Sequence, residues 1–464
     1  MSGTGTRIAS ISGLRGVVGD GLDPATVVEF AAAYASLCEP GPIVVGHDGR
    51  VSSAVFGAAV EAGVTATGHD VLQAGPTATP TIGWLVREGR SAGGIQISAS
   101  HNPPRYNGLK FFQRGGMVLG AEQGRDLLDR WKSRDFRWAS WDNLGRTHRL
   151  DDPDSGHLVR VLETVDVAAI RRQGFKVVLD ACHGSGGRLG ILLLEALGTR
   201  AVVLGVQPDG RYDHAPEPTE ANLKEFSAIV PAVGAAIGFA QDPDADRLAI
   251  VDETGRYIGE ELTLALAARR RLEQARGPVV INMSTSRVTE DIAKALNCPV
   301  FRTPVGEINV VERMIAEEAV LGGEGNGGVI DPRIGYVRDS FAAMALVLDL
   351  MAVSGLPLSR LVADLPRYTM IKDLYPIQAG ASGDLARGAG PEGVSALWDR
   401  IASAFPDALA DRRDGLRLEW HDRWVHIRAS NTEPIVRVIA EAVEPDDAHE
   451  LTSRIGRWVS TAPE

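Results

Sequence analysis

Cysteine is scarce: Cys38, Cys182 and Cys298 are the only three in 464 residues. They are widely scattered, odd in number and form no CxxC pair. That argues against a disulfide framework and a zinc knuckle, and leaves small core residues in a reduced compartment as the expectation. Positive charge is also short. Lys and Arg total 48 against 60 Asp and Glu, a net charge of −12, the wrong balance for a non-specific nucleic-acid binder. Long apolar runs are missing too. The most apolar stretch, residues 341–353, is interrupted by Asp349. A bilayer span needs about 20 residues, so this stretch reads as a buried helix. Residues 1–13 hold one Arg and no apolar run, unlike a signal peptide. The expectation is a soluble, cytoplasmic protein without nucleic-acid or membrane partners, monomeric or homodimeric.

What is present is the material of several cores. Hydrophobic residues make up 44% and charged residues 23%, an ordinary globular balance. Domains of about 100–150 residues would give three or four of them. Many of the 52 glycines follow short β-branched runs. Pro42-Ile43-Val44-Val45-Gly46, Lys176-Val177-Val178-Leu179-Asp180 and Pro278-Val279-Val280-Ile281-Asn282 are continuous apolar runs, as expected of strands covered on both faces. In each unit a second strand leads into a polar loop. Gly94-Ile95-Gln96-Ile97 precedes residues 98–103, Ala235-Ala236-Ile237-Gly238-Phe239 precedes 241–247, and Ala319-Val320-Leu321 precedes 322–328. The repeat is one of pattern, since residue identity between the units is low.

This predicts three similar mixed-sheet α/β domains, each sending one loop to a shared cleft, at 1–150, 151–256 and 257–367. Residues 368–464 differ. Alternation across a His421-Asp422 turn predicts an antiparallel hairpin, Ile435 to Ala440 a third strand, and Pro445-Asp446-Asp447 the start of a helix. This is a C-terminal α+β domain.

Four motifs carry chemistry. Ser98-Ala99-Ser100-His101-Asn102-Pro103 places a serine in a loop stiffened by Pro103 and Pro104, with Tyr106-Asn107-Gly108-Leu109-Lys110 behind it. No Gly-x-Ser-x-Gly elbow surrounds Ser100, which disfavours acyl transfer and leaves phosphoryl transfer open. Asp242-Pro243-Asp244-Ala245-Asp246-Arg247 crowds three carboxylates. Oxygen-only ligands indicate a hard cation such as Mg²⁺. An EF-hand loop is excluded because Arg247 stands where that loop requires Gly, and a strand, not a helix, follows. Gly322-Gly323-Glu324-Gly325-Asn326-Gly327-Gly328 offers close backbone approach and two hydrogen-bonding side chains. Arg428-Ala429-Ser430-Asn431-Thr432-Glu433-Pro434 offers a guanidinium, hydroxyls and backbone N–H groups, a cradle for phosphate. Each motif has a bland reading as a polar turn.

Together, in this order, they resemble the α-D-phosphohexomutase superfamily across essentially the whole chain. Residues 98–110 resemble its phosphoserine loop, Asp242, Asp244, Asp246 and Arg247 its metal loop, 324–328 its sugar loop and 428–434 its phosphate loop. Gly13-Leu14-Arg15-Gly16 resembles its N-terminal motif, and Thr303 with Gly306 its specificity turn. The resemblance implies four domains, a phosphorylated Ser100, and Mg²⁺ on Ser100 and the three aspartates. It implies hexose 6-phosphate and 1-phosphate exchanged through a hexose 1,6-bisphosphate, which also serves as activator. Arg15, Lys110 and Arg247 would surround the transferring group, with His101 supporting the serine loop or shuttling a proton. Glu324 and Asn326 would grip the sugar, and Arg428, Ser430, Asn431 and Thr432 the other phosphate. One departure stands out: many relatives end the sugar loop with His, where this chain has Gly328. The loop form resembles enzymes assigned to glucosamine phosphate. A phosphomannomutase or phosphoglucomutase, a phosphatase using the same serine, and a non-catalytic sugar-phosphate binder are the alternatives.

Overall fold

A computed structural model describes residues 8–10, 13–376, 391–429 and 435–460. The first sheet contains β1 (Ile8–Ser10), β2 (Gly13–Val18), β3 (Gly21–Leu22), β4 (Ile43–His47), β5 (Val71–Pro76), β6 (Gly93–Ile97), β7 (Tyr106–Gln113) and β8 (Thr147–Arg149). Their order is β1-β2-β7-β6-β4-β5-β8, with β3 on β2. At its centre β4 lies between parallel β5 and β6, and β7 runs antiparallel to β6.

The same path recurs twice. In the second sheet β9 (Lys176–Asp180) is parallel to β10 (Arg200–Leu204) and β11 (Ile237–Gln241), and β12 (Leu248–Asp252) is antiparallel to β11. In the third, β13 (Val279–Asn282) is parallel to β14 (Val300–Thr303) and β15 (Leu321–Glu324), and β16 (Gly328–Ile330) is antiparallel to β15. Each chemically rich segment is the turn into that antiparallel strand. The first unit is not a plain copy, because its sheet is extended on both sides. The strands β5, β10 and β14 escape the apolar-run reading. Their residues are only partly buried, with Arg200, Arg302 and Gln73 among them.

The third motif needs a correction. Gly322 to Gly328 is not one loop: Gly322, Gly323 and Glu324 belong to β15, and only residues 325–327 form the turn. Glycine disfavours strands, but here a side chain has no room. A Cβ at Gly322 would sit 2.2 Å from Met314 Sδ, and one at Gly323 2.7 Å from Leu264 Cδ1.

The apolar stretch around Phe341 is the helix Ser340–Ser354, opened by Asp339, whose carboxylate accepts from the N–H groups of Phe341 and Ala342, and closed by Gly355 at φ 67°. Every residue from Ser340 to Ala352 is buried. It packs on the helix Glu260–Gln274, and the two share one apolar cluster with Leu179, Phe239, Ile281 and Leu321 from the second and third sheets. Asp349 is tolerated there because Arg270 Nε donates to it at 2.6 Å and Gln274 Nε2 at 3.0 Å.

The fourth sheet is antiparallel, ordered β17-β21-β20-β19-β18, from β17 (Thr369–Pro376), β18 (Leu409–Asp411), β19 (Leu416–Glu419), β20 (Arg423–Ala429) and β21 (Ile435–Ala442). Helices Pro391–Ser403 and Pro445–Ser460 accompany it. The hairpin, third strand and last helix stand where the sequence pattern puts them. Strands β17 and β18 are additional.

Phe341→Ala should open a cavity between the second and third units and lower stability by about 3–5 kcal/mol. A melting temperature indistinguishable from wild type by calorimetry would contradict this placement of the core.

Candidate active site

Ser100 stands in the turn between β6 and β7 at φ 51°, buried. That left-handed backbone costs a non-glycine residue about 1–3 kcal/mol and must be held. Arg50 holds it. Nη2 donates to the carbonyls of Ser100 (2.5 Å) and Asn102 (2.7 Å), and Nη1 to those of Pro103 (2.8 Å) and Tyr106 (3.0 Å). Its Nε donates to Asp48 Oδ2 at 2.9 Å, so all five guanidinium donors are used. Asp48 Oδ2 also accepts from Ser98 Oγ at 2.7 Å, and that hydroxyl accepts the Ser100 N–H at 2.7 Å. Ser100 Oγ is thereby aimed at Asp242, donating to Oδ2 at 2.8 Å, with His101 Nδ1 at 3.3 Å.

Asp242, Asp244 and Asp246 are each 0% exposed, and one oxygen of each lies within 4.8 Å of the others. The turn is closed by Ala245 at φ 57° and by the N–H groups of Asp246 and Arg247 donating to Asp242 Oδ1. Two other units supply donors. From the first, Lys110 Nζ reaches Asp244 at 2.5 Å and Asp246 at 2.8 Å, and Thr79 Oγ1 reaches Asp244 at 2.5 Å. From the third, Arg338 Nη2 reaches Asp246 at 2.6 Å. Asp244 Oδ1 and Asp246 Oδ1 remain buried without a hydrogen-bond partner. Two orphaned carboxylate oxygens beside Asp242 fit a hard divalent cation. Burial and the neighbouring Asp246 and Asp244 push the Asp242 carboxyl well above its ordinary range. At Asp246 burial acts the same way, but Arg338, Lys110 and Arg247 outweigh it and hold the pKa below. Burial, then Arg247 and Arg15, push His101 down to about 2, so its imidazole is neutral.

Glu324 is buried at the end of β15. Oε1 accepts from Asn282 Nδ2 (2.9 Å) and the Gly306 N–H (3.1 Å), and Oε2 from Arg338 Nη1 (2.9 Å) and Asn326 Nδ2 (3.5 Å). Arg338 thus ties the sugar turn to the acidic loop. It also explains Gly328: a Cβ there would lie 2.3 Å from Arg338 Cδ, so the guanidinium stem fills the space a larger residue would need. Thr303 is buried, donates to the Pro304 carbonyl and is not among the residues that line the cleft. Arg428 ends β20 with Nε on Asp414 at 2.9 Å, and Asp414 also accepts the Val305 N–H at 2.8 Å, docking the fourth unit on the third. Ser430, Asn431 and Thr432 lie outside the described residues.

These groups meet around a cleft of about 690 Å³. Among the described residues its cations are Arg15, Lys110, Arg247, Lys372, Arg428 and Arg437, against the carboxylates Glu217, Glu261 and Glu324. The positive field that an anionic ligand requires is therefore gathered against the overall charge. Arg15 donates to Asn102 Oδ1 at 3.0 Å, and Arg247 stands 3.9 Å from Asp246. Sequence reading missed Arg50, Arg338, Glu261, Lys372 and Arg437. Only Asp48-Gly49-Arg50 carried a signal, since it follows β4 at the carboxyl end where the other units bear their loops.

Descriptions of the phosphoglucomutase/phosphomannomutase alpha/beta/alpha domains I, II and III match residues 7–138, 155–255 and 259–368, and the C-terminal domain matches 393–456. The chain belongs to the phosphoglucomutase/phosphomannomutase family. It is 35% identical over 445 residues to a phosphoglucomutase/phosphomannomutase of Thermococcus kodakarensis, covering 94% of this chain and 95% of that protein. It is 34% identical to a probable phosphoglucosamine mutase of Methanopyrus kandleri, covering 95% of each. A family member of known structure from Burkholderia thailandensis superposes with a TM-score of 0.84 at 26% identity, over 97% of this chain and 96% of that one. The protein is thus a phosphohexomutase, with helices among the described residues too short or too polar to cross a membrane.

Arg50→Lys keeps the charge beside Asp48 but cannot serve four carbonyls. Turnover should fall by at least about tenfold, the scale of losing a buried charged hydrogen bond. Unaltered kcat would mean the serine loop holds itself.

Proposed function

We propose that this phosphohexomutase interconverts hexose 6-phosphate and hexose 1-phosphate through a phosphorylated Ser100, with glucosamine phosphate as substrate. The supporting observation is Ser100 Oγ hydrogen-bonded to the three-carboxylate loop behind a cation-lined cleft. The names of the relatives support both levels of the reading, since relatives from Methanopyrus kandleri, Pyrococcus horikoshii, Thermococcus kodakarensis and Pyrococcus abyssi at 31–34% identity are called probable phosphoglucosamine mutases. The phosphomannomutase or phosphoglucomutase alternative draws on the Thermococcus relative's name.

A Mg²⁺ held by Asp242, Asp244, Asp246 and a phosphoserine oxygen would supply charge neutralisation for the transferred group. The chain's own residues do the rest. Arg15, Lys110 and Arg247 surround the phosphoryl group as its bond to Ser100 Oγ breaks and one to the sugar hydroxyl oxygen forms. The hydroxyl proton passes to the neutral imidazole of His101 or to the substrate phosphate, because Lys110 is an ammonium paired with Asp244 and Asp246 and cannot take it. Glu324 and Asn326 grip sugar hydroxyls, with Thr303 and Gly306 shaping the turn beneath. Arg428, Ser430, Asn431 and Thr432 hold the second phosphate. The bisphosphate turns over in the cleft, and its other phosphate returns to Ser100. The unit boundaries at 150, 256 and 367 belong to the same reading.

Intact mass before and after exposure to a sugar 1,6-bisphosphate should show one phosphate gained, mapping to Ser100, and Ser100→Ala should gain none and lose turnover. Wild-type turnover in that variant would sink the proposal. Asp244→Asn should raise the magnesium concentration giving half-maximal rate by at least about tenfold, and an unchanged magnesium titration would count against the acidic loop as the metal site.

A further inference from the structure

Glu261 is a carboxylate with no evident place in a cleft built for phosphate. It is the second residue of the helix Glu260–Gln274 and lines the cleft beside the turn 325–327, its side chain 16% exposed. It presses on the turn so closely that a Cβ at Gly325 would lie 2.0 Å from its Oε2. Oε2 accepts the Ser286 N–H at 2.9 Å, but among the described residues Oε1 meets only Lys372 Nζ, at 3.5 Å. That is longer than the roughly 2.7–2.9 Å of a charge-assisted hydrogen bond.

The other two carboxylates that line the cleft among the described residues differ. Each oxygen of Glu324 already accepts from two donors. Glu217 is 49% exposed and stands near His101 on the serine side. A phosphate is repelled by a buried negative charge. A sugar hydroxyl binds a carboxylate well but brings no charge to offset its burial, whereas a positive group on the ligand does both.

We infer that Glu261 is a specificity-determining residue that receives the ammonium of an amino-hexose phosphate on Oε1, in exchange for Lys372. The inference rests on the hexose phosphate reading above and deepens it. It makes the amino sugar, not the neutral hexose, the ligand this cleft selects. Burial raises the Glu261 pKa to about 7, and an arriving cation would favour its ionised form.

The test compares glucosamine 6-phosphate with glucose 6-phosphate, by kcat/KM in active enzyme and by calorimetric binding to a Ser100→Ala background. The near-isosteric Glu261→Gln should cut the amino-to-neutral ratio by at least about tenfold in both, carried by KM. Lys372→Met, which removes the competing cation, should hold or raise the ratio. A ratio unmoved by Glu261→Gln, an equal loss for both sugars, or a fall with Lys372→Met would each overturn the assignment. Binding reads this independently of reaction. Wild-type enzyme that binds both sugars and converts neither would overturn the mutase reading while leaving the Glu261 result to stand or fall alone.

Discussion

Three aspartates on one short turn, all removed from water, set the terms for the rest of this molecule. Burying an ionised carboxylate costs several kcal/mol unless cations and donors surround it. The turn supplies only part of this, two N–H groups on Asp242 Oδ1 and Arg247 at 3.9 Å from Asp246. The rest arrives from elsewhere in the chain: Lys110 and Thr79 from the first unit, Arg338 from the third. The acidic loop is therefore the place where three units are obliged to meet. The two oxygens still unpartnered at that junction, Asp244 Oδ1 and Asp246 Oδ1, are the donor type a hard cation takes.

The repeated strand path makes the meeting possible. In each of the first three units a central strand is flanked by two parallel partners, and the fourth strand turns back antiparallel. The turn into that strand falls at the carboxyl edge of the parallel strands, where α/β sheets receive ligands. Three copies facing one centre bring a hydroxyl, a carboxylate cluster and a hydrogen-bonding turn together without long loops. The fourth unit, docked through Asp414 and the Ser284–His426 contact, completes the wall with Lys372, Arg428 and Arg437.

Two arginines divide the work of fixing the site. Arg50 spends four donors on the serine loop and the fifth on Asp48, and holds Ser100 in a backbone state it would not choose. Arg338 spans the acidic loop and Glu324, so charge at one is felt at the other. It also occupies the space beside Gly328, which gives the missing side chain there a steric cause.

The amino-acid sequence by itself determined the strands that form the centre of each sheet, the buried helix around Phe341 and the residues that concentrate chemistry in short turns. Continuous apolar runs and crowded Ser, Asp and Gly are local signals, readable without neighbours. Ser100, Asp242, Asp244 and Asp246 were legible for that reason. The edge strands β5, β10 and β14 were not, because partial burial lets polar residues interrupt their pattern. Neither was the strand state of Gly322 and Gly323, which Met314 and Leu264 impose by occupying the space of a side chain. Only the tertiary structure gave partners to Arg50, Arg338 and Glu261. Arg338 lies 92 residues from Asp246 and Lys110 lies 134 from Asp244. The function of such residues resides in partners that only the packing of separate units brings within hydrogen-bonding distance.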